Sequence, residues 1–183
     1  MAKKSECRLA WVNDATARKC CESWHYSKSY PMPKCANVGI WEGTAFVGVI
    51  VFGWGGNYRA GEPYGLRIGE VVELVRVAMR PHAVEVSRHI AIALRMLKKQ
   101  SPGVRLVISY ADPVQGHGGS IYKAGGWLYL GQTAPSFEYR VGSRRLQKRA
   151  YTGTNYGNPK AMLPRGAIKV DVPGKLKFAM PMD

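Results

Sequence analysis

Negative charge is scarce in this chain. Its 183 residues hold 12 Asp and Glu against 27 Lys and Arg, a formal net charge of +15. Such a surface attracts polyanions through phosphate contacts and counterion release, and nucleic acid is the partner it points to first. Long apolar runs are missing too. No stretch reaches the roughly 18 residues of a membrane-spanning helix. The opening MAKKSECRLAW has no apolar h-region of a signal peptide, so a cytoplasmic location is the expectation. Cysteine is sparse: Cys7, Cys20, Cys21 and Cys35 all fall in the first fifth of the chain. In the cytoplasm these read as reduced thiols. With His25 they do not make a zinc-finger spacing, and the His-x-Glu with Pro-Cys-x-x-Cys signature of zinc deaminases is absent. No internal repeat or second domain is visible, and 183 residues suffice for one domain with a full core.

What is present is an alternation of strands and helices. Leu9 to Val12 reads as a strand, and Asn13 or Asp14 can cap a helix over Ala15 to Trp24. Asn37 to Trp41 and Ala45 to Phe52 form a hairpin around Glu42-Gly43. Gly53 to Arg67, with five glycines, reads as a mobile lid or substrate loop. EVVELVRVAM, Glu70 to Met79, is a strand that Arg80-Pro81 ends. Val84 to Lys99 is a helix, with Val86, Ile90, Ala93, Leu94 and Leu97 as its apolar stripe. Val104 to Tyr110 is a buried strand, followed by a polar turn, a short helix at Ser120 to Ala124 and a strand at Trp127 to Leu130. Phe137 to Val141 and the end of Ala167 to Met180 read as further strands.

Several side chains stand out chemically. Asp112 lies at a strand's C-terminal end and Tyr122 on the helix after it, where open α/β sheets place ligands. The loop His25-Tyr26-Ser27-Lys28-Ser29-Tyr30 crowds an imidazole, hydroxyls and a lysine between helix and prolines. Arg76 sits in an apolar strand, either on a solvated side or as an anion-binding group in a cleft. Ser87 and Arg88, in the first turns of the long helix, make an anion site. Arg140, Arg144, Arg145, Lys148 and Arg149, with Tyr139 and Tyr151 interleaved, suit a surface that holds phosphates and stacks bases. For His82, His89 and His117, surface or capping roles are expected.

The element order resembles the GNAT acyltransferase fold over roughly residues 8 to 132, an α/β (α+β) class with a central mixed, twisted sheet flanked by helices. Residues 133 to 183 would then be a basic C-terminal extension of a single domain. IYKAGGW, Ile121 to Trp127, is similar to a GNAT pattern whose tyrosine often protonates the departing thiolate of coenzyme A; by position this is Tyr122. The Gly-rich pyrophosphate loop of that superfamily is replaced by RPHAVEVSR, Arg80 to Arg88, without glycine.

A narrower likeness rests on WHYSKSYP, ELVRVAM, SRHIAIALRMLKK and SYADPVQGHGGSIYKAGGW. Together these closely resemble the Mom family of bacteriophage DNA-modification proteins. The resemblance implies a transferase that places an acetamido (carbamoylmethyl) group on N6 of adenine and protects phage DNA from host restriction enzymes. Its partner would be double-stranded DNA with a flipped adenine. Tyr122 would act as general acid, Asp112 as general base or amine acceptor, and Arg76 as charge stabiliser. Tyr26 would stack or donate a hydrogen bond, with His25, Ser27 and Ser109 in support. Acetyl-CoA and iron are the cofactors associated with the family; the group donor, the need for a metal, the DNA context and the oligomeric state, a homodimer included, stay open. The alternatives are an ordinary acetyltransferase acting on protein or a small amine, and a DNA-binding module without chemistry.

Overall fold

A computed structural model describes residues 6–31, 34–55, 57, 59–146, 151 and 162–182, without the side chains of 34 and 35. Lys148 and Arg149 lie outside the described residues. In chain order the elements are β1 (Cys7–Trp11), α1 (Asp14–Trp24), β2 (Lys34–Glu42), β3 (Ala45–Gly53), β4 (Val71–Met79), α2 (Val86–Gln100), β5 (Leu106–Ala111), α3 (Ser120–Ala124) and β6 (Leu128–Gln132). Then come β7 (Ser136–Val141), β8 (Arg144–Leu146), β9 (Ile168–Val172) and β10 (Leu176–Pro181). Asn13 caps α1, its side chain accepting from the Thr16 amide at 2.9 Å.

Seven strands form one sheet in the order β1-β2-β3-β4-β5-β10-β6, and β8-β7-β9 form a second, smaller one. All pairings in the large sheet are antiparallel except β4 with β5, so the sheet is mixed. β10 inserts between β5 and β6, pairing Phe178 with Ser109 on one side and with Tyr129 on the other. The sheet therefore does not end near residue 132: the extension supplies an interior strand.

Alternation along the strands separates two cores. On one face α2 and α3 cover Val38, Ile40, Ile50, Phe52, Val72, Leu74, Val107 and Phe178. On the other, Ala17, Cys20 and Cys21 of α1 pack on Val49, Val51 and Ala78. Phe178 is wholly buried and stacks on Tyr122, ring centroids 5.0 Å apart. Truncating such a phenylalanine to alanine costs about 3–5 kcal/mol. Gly119, ahead of α3, has φ +77°, and a Cβ there would lie 2.3 Å from the Phe178 ring. Only glycine admits both the backbone and the packing.

Gly53 to Arg67 is not a free loop in its described part. Ala60 and Leu66 pack against Leu106 and Ile108, and Glu62–Tyr64 form a 3-10 turn.

Candidate active site

The parallel ladder between β4 and β5 runs from Val71↔Leu106 to Leu74↔Ser109 and stops there. Beyond it the strands part. β4 also carries a bulge against β3, because Val51 pairs with Arg76 and Phe52 with Leu74. A bulge re-aims the residues after it. Two carbonyls at this point accept from side chains. The Ser109 hydroxyl reaches the Leu74 carbonyl at 2.8 Å, and Arg76 Nη1 donates to the Val75 carbonyl at 2.7 Å.

Tyr122 reaches the opening from α3. Its hydroxyl lies 2.8 Å from Ser109 Oγ. Ser109 has one proton, so donation to Leu74 leaves Oγ to accept from Tyr122. Burial pushes the Tyr122 pKa up to about 12, against the lowering by the Ser109 hydrogen bond. The phenol thus keeps its proton across the ordinary pH range.

The loop after α1 forms the front of the opening. Arg76 is half-buried, and donates to the Ser29 carbonyl at 3.3 Å and the Ser29 hydroxyl at 3.4 Å. Arg76 is thus not on a freely solvated face; its guanidinium ties β4 to the loop after α1. The Ser27 amide donates to His25 Nδ1 at 3.1 Å, so Nδ1 is an acceptor and the ring carries its proton on Nε2. Burial first, then the charges of Arg76, His117, Lys175 and Lys28, lowers the His25 pKa to about 3. His25 is a neutral hydrogen-bond donor in a basic surrounding. Tyr26 is half-exposed and lies against both the His25 ring (4.2 Å) and the edge of His117 (5.3 Å). Its pKa is raised, by burial first and then by Asp112.

Asp112 is 4% exposed. One oxygen accepts from the Val114 amide at 3.1 Å, capping the 3-10 turn Pro113–Gln115; the other lies 3.5 Å from Arg145 Nη2. Arg145 also pairs with the buried Glu138 of β7, which Arg140 binds at 2.6 Å. Arg140 and Arg145 are therefore committed to carboxylates, and the small sheet is clamped to the site through Arg145. Arg144 is exposed. Tyr26 links the two proposed chemical groups: the charge of Asp112 acts on it, and it acts on Tyr122.

Ser87 and Arg88 are not part of this cluster. Ser87 lines a separate cleft of about 300 Å³ with Leu94, Arg95, Lys98, Trp127 and Met180, while Arg88 is exposed. The turn before α2 is already filled: the Glu42 carboxylate accepts from the Ala83 amide at 2.8 Å and the Val84 amide at 2.7 Å. Burial works to raise its pKa, but these amides with His89 and His82 outweigh it, and the net shift is downward. As arranged, this turn does not fit an added pyrophosphate. The capping or surface role expected of His89 is corrected here. The ring is fully buried under α2, its Nε2 3.8 Å from Glu42 Oε1 and neither nitrogen hydrogen-bonded. It lies on the apolar stripe, one helical turn from both Val86 and Ala93. His82 and His117 are exposed. Among the described residues no three His, Cys, Asp or Glu side chains converge to hold a metal, so they do not fit iron. Cys21 is a buried thiol raised to about 11, chiefly by burial.

The fold is that of acetyltransferases. Spermidine N-acetyltransferase from Vibrio cholerae superposes with a TM-score of 0.54 at 8% identity, covering 96% of this chain and 94% of that one. FeeM, an N-acyl amino acid synthase from uncultured soil microbes, gives 0.53 at 11% identity, covering 100% and 93%. A relative in sequence is the methylcarbamoylase mom of Escherichia phage Mu, 28% identical over 137 residues. That match covers 72% of this chain and 56% of the phage Mu protein, so the chain spans little more than half the length of this relative. No described helix is long and apolar enough to cross a membrane. The Mom protein family matches residues 6–173, nearly the whole sequence, and the chain belongs to that family.

Proposed function

We propose that this protein modifies adenine in DNA, placing an acetamido (carbamoylmethyl) group on the exocyclic N6 and so protecting phage DNA from host restriction enzymes in the host cytoplasm. Support comes from the family, from the name of the phage Mu relative, from the acetyltransferase fold and from the net charge of +15. The observation that carries it is a protonated Tyr122 held by Ser109 where β4 and β5 part, with Tyr26, Arg76 and Asp112 in reach of the same opening.

The target base is flipped out of the duplex, because a closed site cannot reach a stacked base. Transfer forms a bond between N6 and the carbon of the incoming group. N6 loses a proton and the departing group of the donor gains one. Tyr122 supplies the latter proton, Asp112 accepts the former or orients the amine, and Arg76 stabilises negative charge as it develops. Tyr26 contacts the base, with His25 and Ser27 fixing its loop. Arg144 belongs to the surface that binds DNA phosphates, and Arg145 positions Asp112.

Mass spectrometry of nucleosides from DNA of cells expressing the protein tests this. The expected result is deoxyadenosine heavier by the acetamido group. Unmodified adenine in cells holding folded protein would overturn the reading.

A further inference from the structure

Two loops meet across the mouth of the opening. Tyr26, in the loop after α1, is 41% exposed. His117, in the loop after β5, is exposed too, and its ring meets Tyr26 edge-on, centroids 5.3 Å apart at 72°. His25 braces Tyr26 from within its own loop. His117 is held only through its backbone, its amide donating to the Asp112 carbonyl at 3.2 Å. Gly116 and Gly118 flank it, Gly116 with φ +73°, and a Cβ on either would meet nothing within 4 Å. The imidazole can therefore swing on its neighbours without disturbing Asp112. Its ring nitrogens have no hydrogen-bond partner among the described residues.

A cation stands at the same mouth. Leu176 pairs with Ala111, so Lys175, one residue earlier, comes level with Asp112. Its backbone is fixed: the amide donates to the Thr133 hydroxyl at 2.9 Å, and the carbonyl accepts from the Thr133 amide at 2.9 Å. The other full charges felt by His25 are committed, Arg76 to Ser29 and Val75, and Lys28 to the Ser23 carbonyl at 2.7 Å. Among the described residues the exposed Lys175 ammonium makes no hydrogen bond or ion pair.

We propose that Tyr26 and His117 are the two jaws of a site for the flipped nucleotide, closing on its base, and that the Lys175 ammonium holds its phosphate. This rests on the reading of the protein as an adenine-modifying enzyme and places the target nucleotide in the opening itself. Aromatic faces hold a base by stacking, and a cation beside them tracks the backbone. The entering base displaces the edge contact and lies between the rings, where the His117 nitrogens meet its edge. The paired ladder of β4 and β5 ends at Ser109, and Asp112 lies three residues beyond. The jaws stand at this parted end, so no paired rung separates the amine from Asp112 or from the Tyr122 hydroxyl. Tyr26 is near enough to both for its interaction with each to be felt.

The test uses the full chain and a labelled single-stranded oligonucleotide with one adenine, beside a counterpart with an abasic residue there. A single strand presents the base without the cost of extrusion. Binding is read by fluorescence anisotropy across a salt series for wild type, His117→Ala, His117→Phe, Lys175→Ala and Lys175→Arg, with melting temperatures and cellular adenine modification recorded. Wild type should prefer adenine over the abasic residue by about ten-fold or more, the size of one stacked base. His117→Ala should lose most of that preference, keep the salt slope and lower modification; His117→Phe should restore the preference. Lys175→Ala should keep the preference and lower the salt slope by about one, and Lys175→Arg should restore the slope. If wild type modifies adenine while folded His117→Ala keeps both the preference and the modification, the jaws are wrong and the function stands. An unchanged slope in Lys175→Ala removes the phosphate contact and with it this placement of the nucleotide. Equal affinity of wild type for the two oligonucleotides overturns the site, whereas absence of modified adenine from cells with folded wild type overturns the function.

Discussion

The hydroxyls of Ser109 and Tyr122 lie 2.8 Å apart at the last paired rung of β4 and β5. Ser109 passes its own proton to the Leu74 carbonyl and so presents a lone pair to the phenol. Tyr122→Phe removes the phenol proton proposed for the departing group. Modified adenine should fall on the order of 100-fold, while stability drops by about 1 kcal/mol. Ser109→Ala strands a buried phenol and should cost about 1–3 kcal/mol of stability. Near-normal modification by folded Tyr122→Phe, measured by nucleoside mass spectrometry, would remove the phenol from the chemistry.

Adjacent arginines should separate binding from turnover. Arg144 is exposed, whereas Arg145 is paired with Asp112 and Glu138. Arg144→Glu should weaken DNA binding for every sequence and lower the salt slope by about one or two. Arg145→Ala should leave that slope close to wild type and reduce modification, since Asp112 loses its clamp. Titrations from low to high salt on both variants decide this. Equal slopes in wild type and Arg144→Glu would take Arg144 off the DNA surface.

Glu42 bears on the donor. Two amides that could hold a phosphate are bonded to its carboxylate. Acetyl-CoA should bind wild type weakly, and Arg88→Ala no more weakly. Glu42→Ala frees both amides and should tighten binding by about ten-fold, the scale of a charged hydrogen bond. Calorimetric titration of the three proteins is the check. A loss of affinity in Arg88→Ala alone would restore the first turns of α2 as the phosphate site.

The neutral state of His25 has a pH signature. Its folded pKa of about 3 lies below the unfolded value near 6.5. Between these values the unfolded chain binds the extra proton, so stability is complete above about pH 6.5 and declines as pH falls toward 3. His89, also shifted downward by burial, adds in the same direction. Melting temperatures from pH 7 to 4 should fall, and less steeply in His25→Gln. An unchanged slope in that variant would mean His25 is solvated and titrates normally.

The elements were legible because each is written locally. The stripe Val86, Ile90, Ala93, Leu94 and Leu97 carries α2, and the apolar run to Tyr110 carries β5. The residues Tyr26, Arg76, Asp112 and Tyr122 stood out as polar groups in a loop, within an apolar strand, at a strand's end and on a short helix. What was hidden depends on chain segments far apart. Nothing near residue 176 says that β10 pairs with β5 and β6 at once. The cluster of arginines read as one phosphate-holding surface, but Glu138 of β7 engages Arg140 on its own strand and Arg145 across the turn on β8. His117 met Tyr26 only through the fold. His89 had a signal that was passed over: it stands on the apolar stripe, and the stripe prevailed over its polarity.

The place of β10 has a consequence for synthesis. β5 leaves the ribosome long before its second neighbour, with β6, β7, β8 and β9 between them. During that interval one edge of β5 is bare, and Tyr122 has no Phe178 to stack on. The proposed centre, whose candidate acid and base are both written by residue 122, is thus unfinished in space until residue 181. A nascent chain stalled before residue 176 should be cut by protease within β5 and modify no DNA, so the enzyme would switch on in one step rather than by degrees.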